Sequence, residues 1–300
     1  MTDDQLLTRP IVILGAPRSG TTVLSQLLKF HPQVYLADEP RILWKYGNDG
    51  KSDALQPDDA RPEVVSHIRR EFASKVRDAG RERLVEKTPS NSLRVGFVDR
   101  VLPDAIFIHI MREGTESVLS IRKFWDQHAT GVGGTTRRQL LRRLKEIKLR
   151  QAPYYAGEFA RRVMTKVLPS KKPRGVWGPR VPGIQEMVRD LDPLEVAAWQ
   201  WRMCVEHVCR IGRTLPADRY TECRLEEFGK EEFQQLLAFC QLEWTPEVEA
   251  GFAQKYENRP TKARSAAADT AEVELVEQLI APTATWLETL EPLARHRTGK

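Results

Sequence analysis

The sequence predicts an α/β fold, with a central parallel sheet flanked by helices and a helical insertion in the second half of the chain. Three observations lead there. An apolar tetrad, Ile11-Val12-Ile13-Leu14, runs into a glycine-bearing loop and then into a helical repeat of apolar residues. Short apolar strands recur at 34–37, 84–86 and 105–111, each followed by an amphipathic stretch, and the economical packing of that alternation is a parallel sheet between helices. A chain of 300 residues, 41% hydrophobic, can bury the core of one such domain, so residues 1–300 are read as a single unit.

The elements follow in order. Gly20 to Phe30 carries Val23, Leu24, Leu27 and Leu28 at helical spacing, and Val34-Tyr35-Leu36-Ala37 reads as a second strand. Pro62 to Ala79 places Val64, Val65, Ile68, Phe72 and Val76 on one side of a helix. Leu84-Val85-Glu86 leads into Lys87-Thr88-Pro89, after which Ser90 or Asn91 caps a helix to Leu102 that Pro103 closes. Ala105 to Met111 is a strong strand, and Glu113 to Trp125 the next helix.

The helical insertion spans about 130–215. Residues 135–168 read as helical and basic, 169–185 as a Pro/Gly-rich connection, and Pro193 to Thr214 as a helix with Trp199, Trp201 and Val205 inward. Arg219 to Leu225 is a late strand. A helix from Lys230 to Cys240 has Phe233, Leu236, Leu237 and Phe239 as its core face, and a final helix runs from Thr270 to Leu290.

Composition narrows the class. No apolar run reaches the roughly 18 residues of a membrane span. The opening MTDDQLLTRP lacks the basic end and apolar stretch of a secretory signal, so a cytoplasmic protein without a transmembrane span is expected. Cys204, Cys209, Cys223 and Cys240 form no CxxC pair, which predicts reduced core thiols and no metal site. The net charge of +6 is uneven: residues 137–180 hold fourteen Lys or Arg against Glu146 and Glu158, leaving the remainder net acidic by six. Such a block is either a solvated helical face or a surface attracting an anionic partner. No zinc-finger, RNP-type or helix-turn-helix pattern accompanies it, so nucleic acid is not the expected partner.

The motif with chemical content is Gly15-Ala16-Pro17-Arg18-Ser19-Gly20-Thr21-Thr22, a GxxxxG loop between a buried strand and a helix start. Backbone N–H groups and the helix dipole there cradle an anion, and the sheet is expected as a P-loop-NTPase-like three-layer sandwich. Arg18 adds a planar donor suited to phosphate or sulfate oxygens. The nucleotide-hydrolase pattern is nevertheless broken. Thr21 stands where a phosphate-bridging lysine follows the second glycine, and the candidate Walker B strand ends in Arg112 instead of an aspartate. The loop thus grips an anion without an evident magnesium ligand.

These residues resemble the sulfotransferase superfamily, in which a PRSGTT or PKSGTT loop holds the 5′-phosphosulfate end of 3′-phosphoadenosine-5′-phosphosulfate (PAPS). The resemblance implies that Arg18, Ser19, Gly20, Thr21 and Thr22 bind that end. Phe107-Ile108-His109-Ile110-Met111-Arg112, with Ser120 eight residues on, looks like the family's strand-helix for the 3′-phosphate, so Arg112 and Ser120 are its expected ligands. Glu86-Lys87-Thr88-Pro89 resembles the family's KTP segment, and the stretch from Arg219-Tyr220 to Phe228 its late strand. Two departures stand out. Leu225-Glu226-Glu227-Phe228 replaces a tyrosine and an acid ahead of Asp-Leu, and Lys262-Ala263-Arg264 stands in for a longer C-terminal basic segment, leaving Arg264 either a cofactor contact or a surface charge.

Sulfuryl transfer, like phosphoryl transfer through a loose transition state, leaves the protein to position reactants and stabilise charge. Arg18 and Lys87 are the catalytic cations this implies. The acceptor hydroxyl must lose a proton, and Asp38-Glu39-Pro40-Arg41 is the best segment for a base. It resembles the Glu-Glu-Thr-Arg segment of tyrosylprotein sulfotransferases and the acidic segment of heparan-type enzymes, which points to Glu39 first and Asp38 second. A histidine base, His109 or His31, is the alternative. The insertion is placed to shape the acceptor cleft. The acceptor is a hydroxyl-bearing carbohydrate, glycolipid, tyrosine or small molecule, and an anionic one would suit the basic stretch. Two other classes remain open: a P-loop-type kinase, marked by magnesium dependence, and a non-catalytic nucleotide or polyanion binder.

Overall fold

The computed structural model describes residues 2–129, 151, 154, 156–157, 176–257 and 269–291. Five strands, β1 (Ile11–Leu14), β2 (Val34–Asp38), β3 (Arg83–Lys87), β4 (Ile106–Met111) and β5 (Tyr220–Arg224), form one sheet in the order β2-β3-β1-β4-β5. Every neighbouring pair is parallel. In chain order the described helices are α1 (Asp3–Leu6), α2 (Thr21–Leu28), α3 (Arg41–Trp44), α4 (Pro62–Asp78), α5 (Val95–Val101), α6 (Gly114–Ala129), α7 (Ile184–Asp190), α8 (Pro193–Gly212), α9 (Lys230–Phe239), α10 (Pro246–Phe252) and α11 (Thr270–Glu288).

The layers follow from strand alternation. β1 is buried at all four positions, as a central parallel strand must be. Val12 and Leu14 face one side, among Trp44, Ile68, Phe72 and Phe97; Ile11 and Ile13 face the other, among Leu24, Leu27, Phe233 and Phe252. Trp44 anchors the first cluster, its ring centroid 5.3 Å from that of Phe72 and 6.3 Å from that of Phe97. A third cluster joins α6, α8 and α11 through Val118, Ile121, Trp125, Leu194, Trp201 and Ile280. The expected α/β class, a parallel sheet between helical layers, is what the chain adopts.

The strand order also locates a crevice. From β1 the chain crosses to β2, returns to β3 between them, and then places β4 on the other side of β1. In open α/β sheets ligands bind beyond the carboxyl ends of the strands at such a reversal.

Two details depart from expectation. The helix expected from Ser90 to Leu102 is split into a 3-10 turn, Pro89–Leu93, and α5, and the Asn91 and Ser92 side chains bond Glu86 and the Gly15 backbone instead of capping. In α8, Trp201 and Val205 are inward but Trp199 is 39% exposed. Residues two apart lie on different helix faces, so Trp199 cannot share the inward side of Trp201; Arg202 instead stacks on its ring at 4.8 Å. Most of the basic 135–168 stretch lies outside the described residues. The four cysteines are buried and unbridged, and no described helix is long and apolar enough to cross a membrane.

Candidate active site

The loop after β1 has a backbone that its residues explain. Gly15 has φ +159, and a Cβ there would stand 2.5 Å from Ser19 Oγ and 2.6 Å from the Ile110 carbonyl oxygen, so no larger residue fits. Gly20, at φ +103, closes the loop against Leu225 and begins α2 with no side-chain cap. With no capping side chain, the first-turn N–H groups of α2 are left available to an anion. Ser19 is buried, and its hydroxyl has no hydrogen-bond partner among the described residues. Thr21 is buried beside it, and Thr22 is exposed.

Arg18 is one of four non-glycine residues with positive φ among those described, at +70; Glu39, at +55, is another. Strained backbone persists where surrounding structure enforces it, and two of the four strained positions are residues singled out on chemical grounds. Arg18 Nε donates to Ser120 Oγ at 3.1 Å, and its guanidinium lies 4.3 Å from the centroid of the Phe124 ring. Phe124 in turn stacks on Trp177, centroids 5.3 Å apart. Arg112 Nη1 reaches the Arg18 carbonyl oxygen at 3.5 Å, and its Nη2 is paired with Glu116 at 2.5 Å. Arg18, Arg112 and Ser120 thus form one cluster beside the loop; the sequence reading paired Arg112 with Ser120 and assigned Arg18 to the other end of the donor. Arg264 lies outside the described residues.

The second cluster lies at the carboxyl end of β3. Lys87 pairs in register with Asp38 of β2 and with Ile13 of β1, two residues before Gly15. Its side chain is 3% exposed, and its ammonium lies 2.7 Å from Asp38 Oδ1 and 3.0 Å from Glu39 Oε1. The other Glu39 oxygen is held by Arg41 at 2.9 Å. Burial pushes the Glu39 pKa up, but Arg41 and Lys87 outweigh it and hold the carboxyl below its usual range.

The histidines take other roles. His109 is fully buried, with Nδ1 3.2 Å from the Tyr220 hydroxyl, and burial pushes its pKa down to about 4. It is neutral and sealed from any acceptor. His31 is also buried. His109, Cys209 and Glu222 bring ligand-type atoms within 4.8 Å of one another, but Arg213 grips both Glu222 oxygens, at 2.9 and 2.6 Å. Tyr220, in the late strand, also donates to Glu222 and faces this interior network.

Several residues at the site escape motif reading. Ser92 accepts from the Gly15 N–H at 2.9 Å and donates to the Gly15 carbonyl at 3.1 Å, clamping the start of the loop. The Trp177–Arg180 turn is fixed by Gln200, which donates to the Trp177 and Pro179 carbonyls, and by Asp53, which accepts from Arg180 N. Glu116, the partner of Arg112, sits four residues further on in α6, a spacing that does signal an ion pair.

The chain is similar to an uncharacterized protein of Aquifex aeolicus, 32% identical over 127 residues that make up 37% of this chain and 16% of that protein. It is similar to protein-tyrosine sulfotransferase A of Caenorhabditis elegans, 28% identical over 127 residues, 38% of this chain and 33% of that one. The chain therefore spans no more than a third of the length of either relative. Among solved structures, sulfotransferase STF9 from Mycobacterium avium shares the fold, with a TM-score of 0.54 at 16% identity over 95% of this chain and 78% of that one. The model of the sulfotransferase family matches residues 10–166. That span is more than half of the chain and contains the loop, Glu39, Lys87, Arg112 and Ser120, so this protein belongs to the sulfotransferase family.

Proposed function

We propose that the protein transfers a sulfuryl group from PAPS to the hydroxyl of an acceptor by direct in-line displacement that needs no metal. The observation that carries the reading is the convergence, at the carboxyl ends of β1 to β4, of an anion loop lacking the NTPase lysine with the Arg18–Arg112–Ser120 cluster and the Lys87–Glu39 pair. The residues fit the donor. The orphaned Ser19 hydroxyl and the helix N-terminus suit the 5′-phosphosulfate, and Arg112 with Ser120 suits a second phosphate.

Lys87 stabilises the oxygens around the bond that breaks, between sulfur and the bridging 5′-phosphate oxygen. Glu39 takes the acceptor's proton as the acceptor oxygen bonds to sulfur, and 3′-phosphoadenosine-5′-phosphate (PAP) leaves with the electron pair. A carboxylate with a lowered pKa is a weak base. It suffices where proton transfer lags behind S–O cleavage, since the hydroxyl becomes acidic only as its new bond forms. The acceptor side is bounded by Trp177 and the turn to Arg180, and the tyrosine relative makes a tyrosyl hydroxyl the first acceptor to screen.

Calorimetric titration with PAP in EDTA, with ATP and 5′-AMP as controls, tests the donor assignment. Binding that needs the 3′-phosphate and survives EDTA is expected; metal-dependent ATP binding would replace this reading with a kinase. In the same titration, Arg112→Ala should weaken PAP binding roughly 10–100-fold, the worth of one or two charge-assisted hydrogen bonds. Glu116→Gln should do the opposite. The partly exposed Arg112–Glu116 pair is worth at most about 1 kcal/mol, less than phosphate bonds to the same guanidinium, so the phosphate displaces Glu116. Removing the competing charge should tighten PAP up to about fivefold. Unchanged binding in both variants would move the 3′-phosphate site elsewhere.

A further inference from the structure

Glu86 is fully buried on β3, and because side chains alternate along a strand it points away from its neighbour Lys87. Its carboxylate is a node. Oε1 accepts from Trp44 Nε1 at 2.8 Å and from Thr88 Oγ1 at 2.5 Å, and Oε2 accepts from Asn91 Nδ2 at 2.7 Å. Trp44 ends α3, which begins two residues after Glu39. Thr88 follows Lys87. Asn91 precedes Ser92, whose hydroxyl clamps Gly15 at the start of the anion loop. One carboxylate is therefore bonded by residues from the segments that carry the base, the lysine and the loop clamp.

The network reaches further. Asn91 Oδ1 accepts from Nε of the fully buried Arg94 at 2.8 Å, and Arg94 Nη1 faces Asp53 Oδ1 at 3.8 Å. Asp53 in turn exchanges backbone and side-chain bonds with the Arg180 peptide. We infer that Glu86 is a positioning residue, which holds the Asn91–Ser92 clamp, and through it the anion loop, in the geometry that binds donor. The inference rests on the sulfotransferase reading above.

Trp44 Nε1 and Asn91 Nδ2 can only donate, one to each oxygen, and bond an ionised carboxylate more strongly than a neutral one; the Thr88 hydroxyl can reverse to accept a proton on Oε1, so protonation weakens the node. Among the groups packed around it, Arg94 from the turn before α5 is the charged one, with Asp53 behind it; Trp44, Thr88 and Asn91 are neutral. Burial raises the Glu86 pKa to about 7 against those bonds and Arg94, so the node loosens as pH falls through neutrality.

The test is a double-mutant cycle on PAP affinity with the full chain, by calorimetry, using Glu86→Gln, Ser92→Ala and the pair. Glu86→Gln alone should weaken PAP roughly 3–10-fold at pH 8, the scale of one lost hydrogen bond. In the Ser92→Ala background it should cost little more, because both changes release the same clamp. The affinity ratio of wild type to Glu86→Gln should shrink towards one as pH falls from 8 to 6, and comparing variants cancels the titration of PAP itself. Should Glu86→Gln fail to fold, Asn91→Ala cuts the same link with the carboxylate retained and should show the same non-additivity with Ser92→Ala. Additive losses, or a ratio flat with pH, overturn the inference while the donor reading stands. A wild-type protein that binds no PAP overturns the donor reading first.

Discussion

Glutamine at position 39 is expected to cut sulfuryl transfer roughly 10²–10⁴-fold, the usual contribution of a positioned general base. PAP affinity should stay within about twofold of wild type, since a substitution that preserves shape away from the ligand rarely costs more. The amide keeps the volume of Glu39 and one acceptor for Arg41 or Lys87 but cannot take the acceptor's proton. The two readouts separate catalysis from binding: loss of both would make Glu39 a structural support of the loop, and retention of both would pass the base role to Asp38. The pH dependence adds a check. Arg41 and Lys87 hold the Glu39 pKa below the usual carboxylate value of 4.5 despite burial, so Glu39 is ionised throughout the neutral range. The stability it contributes is present above that unfolded-state value and is lost as pH falls through the lower folded value. An acid limb of activity near pH 7 would therefore belong to Glu86, whose pKa is raised, and should persist in any residual activity of the Glu39 variant.

Methionine in place of Lys87 should lower turnover by about 10²–10³-fold, the cost of removing one preorganised charge-stabilising group. It should also move the Glu39 titration upward. Without the ammonium, Glu39 keeps Arg41 but loses the second of the two cations that hold its pKa down against partial burial. The fold should survive: the two acids keep 40% and 29% of their side-chain surface exposed, so water solvates what Lys87 leaves, where a sealed ion pair broken in this way would be strongly destabilised. Turnover against pH, with circular dichroism as the folding control, reads both effects. An active variant with an unchanged profile would leave charge stabilisation to Arg18 and Arg112.

Much of the site was legible because its parts are local. The loop declares itself by glycine spacing between a strand and a helix, and Gly15 proves to have no room for a Cβ. Arg112 and Ser120 are eight residues apart across one strand end and one helix, so their meeting around Arg18 needs little long-range information. The family resemblance named Lys87 and Glu39 separately, and their pairing across 48 residues came only with the fold. The split of the 90–102 helix was not legible. Ser90 and Asn91 look like capping residues, and only the folded structure turns the Asn91 amide onto Glu86 Oε2 and the Ser92 hydroxyl onto the Gly15 carbonyl.

What the sequence by itself determined is the five strands, the longer helices, the glycine loop and the cations at the strand ends, because hydrophobic period and turn chemistry act over a few residues. What only the tertiary structure decided is the company each polar group keeps. β3 inserts between β1 and β2, and that order sets Lys87 beside Asp38 on one side and Ile13 on the other. It also turns Glu86 inward to gather Trp44 and Asn91, and leaves His109 sealed and neutral in the core. Burial, and the Lys87 counter-charge on Glu39 and the Trp44 bond to Glu86, depend on contacts more than 40 residues apart in the chain, which the packing of the sheet creates.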